Sequence, residues 1–111
     1  MTQSNQTLDG LIQELKRGTI VLGVLSQLKK PLYGYSLVNL LAEKNMNVDK
    51  NTLYPLLRRL EKQELLTSVW NTQDTRPRRY YQLSEKGFTV LASLSEEWAK
   101  LNTTITKLIE D

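Results

Sequence analysis

Residues 51–87 limit the possible folds more than any other part of this chain. The run NTLYPLLRRLEKQELLTSVWNTQDTRPRRYYQLSEKG reads in order as an apolar-striped helix, a strand, a basic turn, a second strand and the cap of another helix. Leu53, Leu56, Leu57 and Leu60 make the stripe, which leaves Lys50, Thr52, Tyr54, Pro55, Arg58, Arg59 and Lys62 outside. Residues 66–70 and 79–83 are β-rich and flank a polar, proline-containing loop, the pattern of a hairpin. A short helix followed by an arginine-tipped hairpin has the shape that fits duplex DNA. The helix enters the major groove, and the hairpin reaches phosphates or the neighbouring minor groove.

The rest of the chain supplies helices. Residues 1–7 are polar and expected to fray. Leu8, Leu11, Ile12 and Leu15 recur at helical spacing, and the apolar run Ile20, Val21, Leu22, Val24, Leu25 and Leu28 continues that helix into the core. Gly18 is the expected bend, and Lys29-Lys30-Pro31 the stop. A second helix is expected over about 33–44, with Leu37, Val38, Leu40 and Leu41 inward, followed by a turn over 45–49. The third starts near Asn51, the expected N-cap, with Pro55 in its first turn. Three helices with a short link between the second and third make a helix-turn-helix.

Ser84 caps the last helix, expected over 84–109, roughly 39 Å long at 1.5 Å per residue. Along it Leu91, Leu94, Trp98, Leu101, Ile105 and Leu108 are spaced 3, 4, 3, 4, 3, a heptad seam. Such a helix outruns the small domain it belongs to. Its far half needs another surface, and a second copy of the chain is the simplest one. The start of helix one (Leu8, Leu11, Ile12, Leu15) would pack on the partner's last helix.

Composition bounds the chemistry. The 111 residues suit one domain with a modest core, for which oligomerisation is a stabiliser. Net charge is only +3, but residues 50–79 hold seven basic side chains (Lys50, Arg58, Arg59, Lys62, Arg76, Arg78, Arg79) against Glu61, Glu64 and Asp74. With no cysteine and no histidine there is no disulfide, no thiolate or imidazole metal site, and no Cys–His or Ser–His catalysis. No carboxylate pair sits in an apolar setting that would raise a pKa, and the five glycines form no phosphate loop, so no enzyme, metal or cofactor is expected. The apolar run 20–28 is too short to span a bilayer. Lys16-Arg17 precedes it as in a signal peptide, but no small-residue cleavage site follows, which favours a cytoplasmic protein.

Each candidate site has a plainer reading beside it. Asn51 and Thr52, at the leading end of helix three, and Tyr54 are placed to meet base edges, with Lys50 and Arg58 or Arg59 on phosphates. Alternatively the two arginines solvate an exposed face and pair with Glu61 or Glu64. Arg76, Arg78 and Arg79 suit a phosphate fork or a narrow minor groove, with Asp74 turned away; the plain alternative is a charged, soluble hairpin tip. Tyr80 and Tyr81 alternate, one inward and one outward. Trp98 is either dimer core alone or, paired with its copy, one wall of a flat cavity for planar aromatic or cationic compounds. That cavity would be completed by Leu11, Leu15, Leu94, Leu101 and the cation-attracting Glu97.

Three stretches carry a family resemblance: GTIVLGVLSQLKKPLYGYSLVNLL, NTLYPLLRRLEKQ and PRRYYQLSEKG. Over about residues 14–101 the chain resembles the PadR family of winged-helix transcriptional regulators. Its short length and single long C-terminal helix are similar to the compact subfamily that includes the multidrug-responsive repressor of lactic acid bacteria. The resemblance implies an α+β fold, with a winged helix-turn-helix over 8–83 and a dimerisation helix over 84–109. It implies a homodimer that binds a palindromic operator, usually as a repressor, with recognition helices about 34–36 Å apart. Tyr33 and Tyr35, at the start of helix two, would touch the DNA backbone. In the drug-binding member a tryptophan pair on the last helix sandwiches planar drugs, and Trp98 matches that position. Two departures stand out. Family members commonly have glycine after the recognition helix, where this chain has Lys62-Gln63-Glu64-Leu65, so a non-glycine residue must end the helix at some strain. The wing tip holds Thr75-Arg76-Pro77 in place of glycines, which stiffens it. The rival class is a winged-helix protein-interaction module that does not bind an operator.

Overall fold

The computed structural model describes residues 3–73 and 75–111. The elements in chain order are α1 (Gln3–Arg17), α2 (Ile20–Ser26), β1 (Leu32–Tyr33), α3 (Gly34–Glu43), α4 (Lys50–Lys62), β2 (Leu66–Asn71), β3 (Arg78–Leu83) and α5 (Glu85–Glu110). Helices and a small antiparallel sheet share one core, the expected α+β arrangement with a long helix at the end.

The first helix expected from the sequence is two helices. The chain turns at Gly18-Thr19, where the Thr19 hydroxyl donates to the Lys16 carbonyl at 2.7 Å and the Thr19 N–H donates to the same oxygen at 3.0 Å. α2 enters the core with Val24 and Leu25 wholly buried, and Leu28 just beyond it is equally so. α1 stands off the body, and residues 5–18 are all exposed. Residues 3–7, expected to fray, belong to α1; Met1 and Thr2 lie outside the described residues.

β1 was not legible in the sequence. α2 ends at Ser26, capped at Gln27, three residues before the Lys29-Lys30-Pro31 stop expected from the sequence, and the two residues after Pro31 join the sheet. β1 pairs antiparallel with β3 (Leu32 opposite Tyr81, Tyr33 opposite Tyr80), giving the order β1-β3-β2. Tyr33 therefore belongs to a strand, and α3 begins one residue later. The Leu83 N–H donates to the Leu28 carbonyl at 2.8 Å, tying the base of the hairpin to the end of α2. β2 and β3 pair in full register from Leu66 opposite Leu83 to Asn71 opposite Arg78. Each strand extends one residue closer to the tip than the sequence pattern indicated.

Two helices end in the same way. At the end of α4 the Leu65 N–H donates to the Leu60 carbonyl (3.0 Å) and the Glu64 N–H to that of Glu61 (2.9 Å), with Glu64 at φ 66°. At the end of α3, Met46 bonds to Leu41 and Asn45 to Ala42, with Asn45 at φ 69°. Both are Schellman turns, in which the left-handed residue is usually glycine because a side chain is strained there. Asparagine tolerates that backbone; glutamate does so at greater cost.

α5 starts directly against the end of α4. Ser84 caps it, accepting from the Gly87 N–H at 3.0 Å, while the Ser84 hydroxyl donates to the Glu64 carbonyl at 2.6 Å and the Ser84 N–H to that of Leu65 at 3.0 Å. The approach is so close that a Cβ at Gly87 would sit 2.1 Å from the Leu65 carbonyl oxygen. From Leu91 outward α5 leaves the core, and every residue from 95 to 111 is exposed. The radius of gyration, 16.5 Å, reflects these projecting helices. A compact chain of this length would measure about 13 Å.

Two substitutions test this joint. Glu64→Gly should raise stability by about 0.5–1 kcal/mol by relieving the left-handed backbone. Gly87→Ala should lower it by about 1–3 kcal/mol through collision with the Leu65 backbone. Urea midpoints at unchanged slope measure both.

Candidate nucleic-acid interface

α4 is oriented by its buried stripe. Leu53, Leu57 and Leu60 are at most 1% exposed, and Leu56, grouped with them by the sequence pattern, is only partly buried. The cap differs from the sequence expectation. Asp49 caps the helix, its carboxylate accepting from the N–H groups of Asn51 (2.6 Å) and Thr52 (3.2 Å). Val48 before the cap and Leu53 are both core residues, at the two positions of a hydrophobic staple. Because Asp49 does the capping, the exposed side chains of Asn51 and Thr52 are left without an intramolecular hydrogen bond among the described residues. The earlier start also moves Pro55 into the second turn. Its missing N–H leaves the Asn51 carbonyl without a helical donor, at a position open to water.

The sequence left Tyr54 outside, but the structure half-buries it. A Cβ on Gly34 would lie 2.5 Å from the Tyr54 ring, so that glycine is what lets α3 and α4 approach. The exposed face of α4 carries Lys50, Arg58, Arg59 and Lys62. The one carboxylate of the helix, Glu61, is turned toward the hairpin. It accepts from the Ser68 hydroxyl and, at 2.5 Å, from the Arg79 guanidinium, whose Nε also donates to the Ser68 oxygen at 3.1 Å.

The three hairpin arginines therefore differ. Arg76 is exposed at the tip. Arg78 is half-buried, its guanidinium 4.7 Å from the centre of the Tyr33 ring. Arg79 is half-buried on the opposite sheet face, tied to Glu61 and 5.3 Å from the Tyr81 ring centre. Arg58 and Arg59 make no ion pair with Glu61 or Glu64 among the described residues, and the glutamate is taken by Arg79. Asp74 lies outside the described residues. Tyr81 is the inward tyrosine and Tyr80 is partly exposed. Burial pushes the Tyr81 phenol above its usual pKa, with Arg79 opposing, Glu61 reinforcing and Arg58 opposing. Tyr33 stacks on Tyr35 (6.4 Å between centres) and meets Tyr80 edge-on (5.6 Å), leaving Tyr35 61% exposed at the start of α3.

Among the described residues, two open clefts lie near candidate functional residues. One, of about 360 Å³, lies between α2 and α5 and is lined by Gly18, Val21, Leu22, Leu94, Glu97, Trp98 and Leu101. Four of the six residues proposed from sequence for ligand binding line it. Leu11 and Leu15 lie before the Gly18 turn and do not. Val21 and Leu22 take their place, although the sequence pattern had assigned them to the core. Glu97 faces Lys100 at 3.6 Å in an exposed pair. The second cleft, about 570 Å³, lies on the outer sheet face beside Pro31, Val69, Trp70 and Tyr80, and nothing in the sequence indicated it. Leu8, Leu11, Leu15, Trp98, Leu101, Ile105 and Leu108 are all exposed in the single chain, and Ile109 joins them at 78% exposed; Ile12 is exposed at the margin, and Leu91 and Leu94 pack on the core. Among the described residues, no helix is long and apolar enough to cross a membrane, and no group of carboxylates could hold a metal ion.

A helix-turn-helix (α3, α4) followed by a β-hairpin wing on a three-helix core is a winged helix-turn-helix fold. Residues 21–93 match the model of the transcriptional regulator PadR-like family, and the chain belongs to that family. It is similar to the crystal structure of a PadR family transcriptional regulator from Eggerthella lenta, with 43% identity, 96% of each chain covered and a TM-score of 0.93. A PadR-like transcription factor from Bacteroides fragilis is 32% identical, with 89% of this chain and 98% of that one covered and a TM-score of 0.74. Uncharacterized protein X of Lysinibacillus sphaericus is 30% identical over 87 residues, 75% of this chain and 80% of that protein.

The two cap assignments separate by substitution. Asp49→Ala should cost about 1 kcal/mol in a urea titration, whereas Asn51→Ala should cost no more than about 0.3 kcal/mol.

Proposed function

We propose that this regulator is a homodimeric, sequence-specific DNA-binding repressor acting on a palindromic operator in the cytoplasm. The observation that carries the reading is the exposed face of α4. It presents Lys50, Arg58, Arg59 and Lys62 with the exposed side chains of Asn51 and Thr52 at its leading end, while its one carboxylate is withdrawn. Asn51 and Thr52 would reach base edges, the cationic side chains phosphates. Arg76 and Arg78 would extend phosphate contact along the wing, and Tyr35 would meet the backbone at the start of α3. Tyr33, Tyr54 and Arg79 hold neighbours in place and support these contacts from behind.

Dimerisation would cover the apolar stripes of α1 and α5, whose leucines and isoleucines stand exposed in the single chain. Effector binding is the finer part of the proposal. The cleft beside Trp98 is apolar with Glu97 at its rim, a chemistry suited to a planar aromatic or cationic compound, as in compact drug-responsive members of the family. Filling it would alter how two α5 helices pack and so the spacing of the two DNA-reading ends.

Arg76→Ala combined with Arg78→Ala should weaken binding to every duplex and flatten the dependence of log K on log salt by about 1 to 2 units. An unchanged slope removes the wing from the interface. For the cleft, ethidium should quench Trp98 emission in the chain without DNA. A Trp98→Ala chain corrects for Trp70, and equal quenching in that chain counts against the cleft.

A further inference from the structure

We propose that Glu61, Ser68 and Arg79 form a brace that fixes the wing to the recognition helix, so that Arg79 serves DNA binding as a positioning residue and makes no phosphate contact. The inference rests on the DNA-binding reading above and assigns a task to the hairpin arginine that is tied to Glu61.

The three side chains close a ring of hydrogen bonds. Ser68 on β2 donates to one Glu61 carboxylate oxygen. Arg79 on β3 donates to the other at 2.5 Å, and its Nε donates to the Ser68 oxygen at 3.1 Å. One carboxylate at the end of α4 thus holds both strands of the wing. The donor and acceptor capacity fits: each carboxylate oxygen takes one donor, and the hydroxyl gives one bond and receives another. The Arg79 guanidinium is further confined between the rings of Tyr81 (5.3 Å) and Trp70 (6.0 Å).

The position of the ring explains why the wing needs it. The hairpin is anchored at its base by Leu66 and Leu83, and β1 supports β3 only at Tyr80 and Tyr81. Beyond that, the pairs Trp70–Arg79 and Asn71–Arg78 form a two-stranded ribbon, and such ribbons twist freely and hold poorly by themselves. Among the described residues, Arg79–Glu61 is the sole ion pair that joins two elements. Both groups are about one-third exposed, so the pair adds little to global stability. Its effect falls on the angle of the ribbon.

The sign of one substitution separates the roles. Glu61→Gln removes a negative charge beside the DNA-facing surface, so electrostatics alone would tighten binding. The brace predicts weaker binding, by about 3- to 10-fold, with an unchanged salt slope. The probe is a 40-bp duplex enriched from a random pool against the wild-type chain. Arg79→Gln should weaken binding similarly, and the exchanged pair Glu61→Arg with Arg79→Glu should recover part of it. Without DNA, ¹⁵N order parameters at Val69, Trp70 and Arg79 should fall in the single variants below the value of about 0.85 typical of rigid backbone. Tighter binding in Glu61→Gln, rigid wing amides, or a slope flattened by about 1 in Arg79→Gln alone overturns the brace and makes Arg79 a phosphate ligand. If no duplex is enriched, the DNA-binding reading fails, and the order parameters still decide whether the ring holds the wing.

Discussion

Burial of Leu53, Leu57 and Leu60 fixes the rotation of α4, and most of the other geometry follows from it. A buried leucine contributes about 1.5–3 kcal/mol, and cutting one to alanine commonly costs about 2–5. No surface interaction in this chain competes with that. With the stripe inward, Asn51, Arg58, Arg59 and Lys62 can only face water, and Glu61 falls on the flank where the hairpin passes. Tyr54 falls on the other packed flank, over Gly34. The residues left to face a partner are a consequence of packing, and the withdrawal of Glu61 is what makes the face uniformly cationic.

The same core leaves the outer helices incomplete. α2, α3, α4 and the hairpin share leucines, whereas α1 and the second half of α5 contribute none to the buried cluster. Their apolar residues line separate exposed stripes, and the Trp98 cleft opens where α5 leaves the body next to the Gly18 turn. α5 is nevertheless tightly coupled to the recognition helix, because Ser84 and Gly87 press on the backbone of Glu64 and Leu65. A shift in α5 packing therefore has a short mechanical route to α4.

Most of the fold was legible because long stretches obey one period. The helical stripes of 53–60 and 91–108 and the β-rich runs around the basic turn gave α4, α5 and the wing. What the sequence missed depends on contacts between distant residues. β1 is two residues long and exists only because β3 lies beside it. Asp49 and Asn51 are both good caps; with Asp49 as the cap, Val48 and Leu53 fall at the two staple positions and both lie in the core. The break at Gly18-Thr19 was visible as a glycine, but its extent was not, since Thr19 closes the turn with its own side chain. At the candidate site, Arg76, Arg78 and Arg79 look equivalent in sequence. Strand alternation sends Arg78 and Arg79 to opposite faces, and Glu61 captures only the second.

Hydroxyl-radical footprinting of the DNA upstream of this chain's own gene tests the central claim most directly. A dimer presenting two such cationic faces should protect two patches on one face of the duplex, separated by about 10–10.5 bp or a multiple of it. A single protected patch, or none at salt low enough to favour binding, would contradict the account.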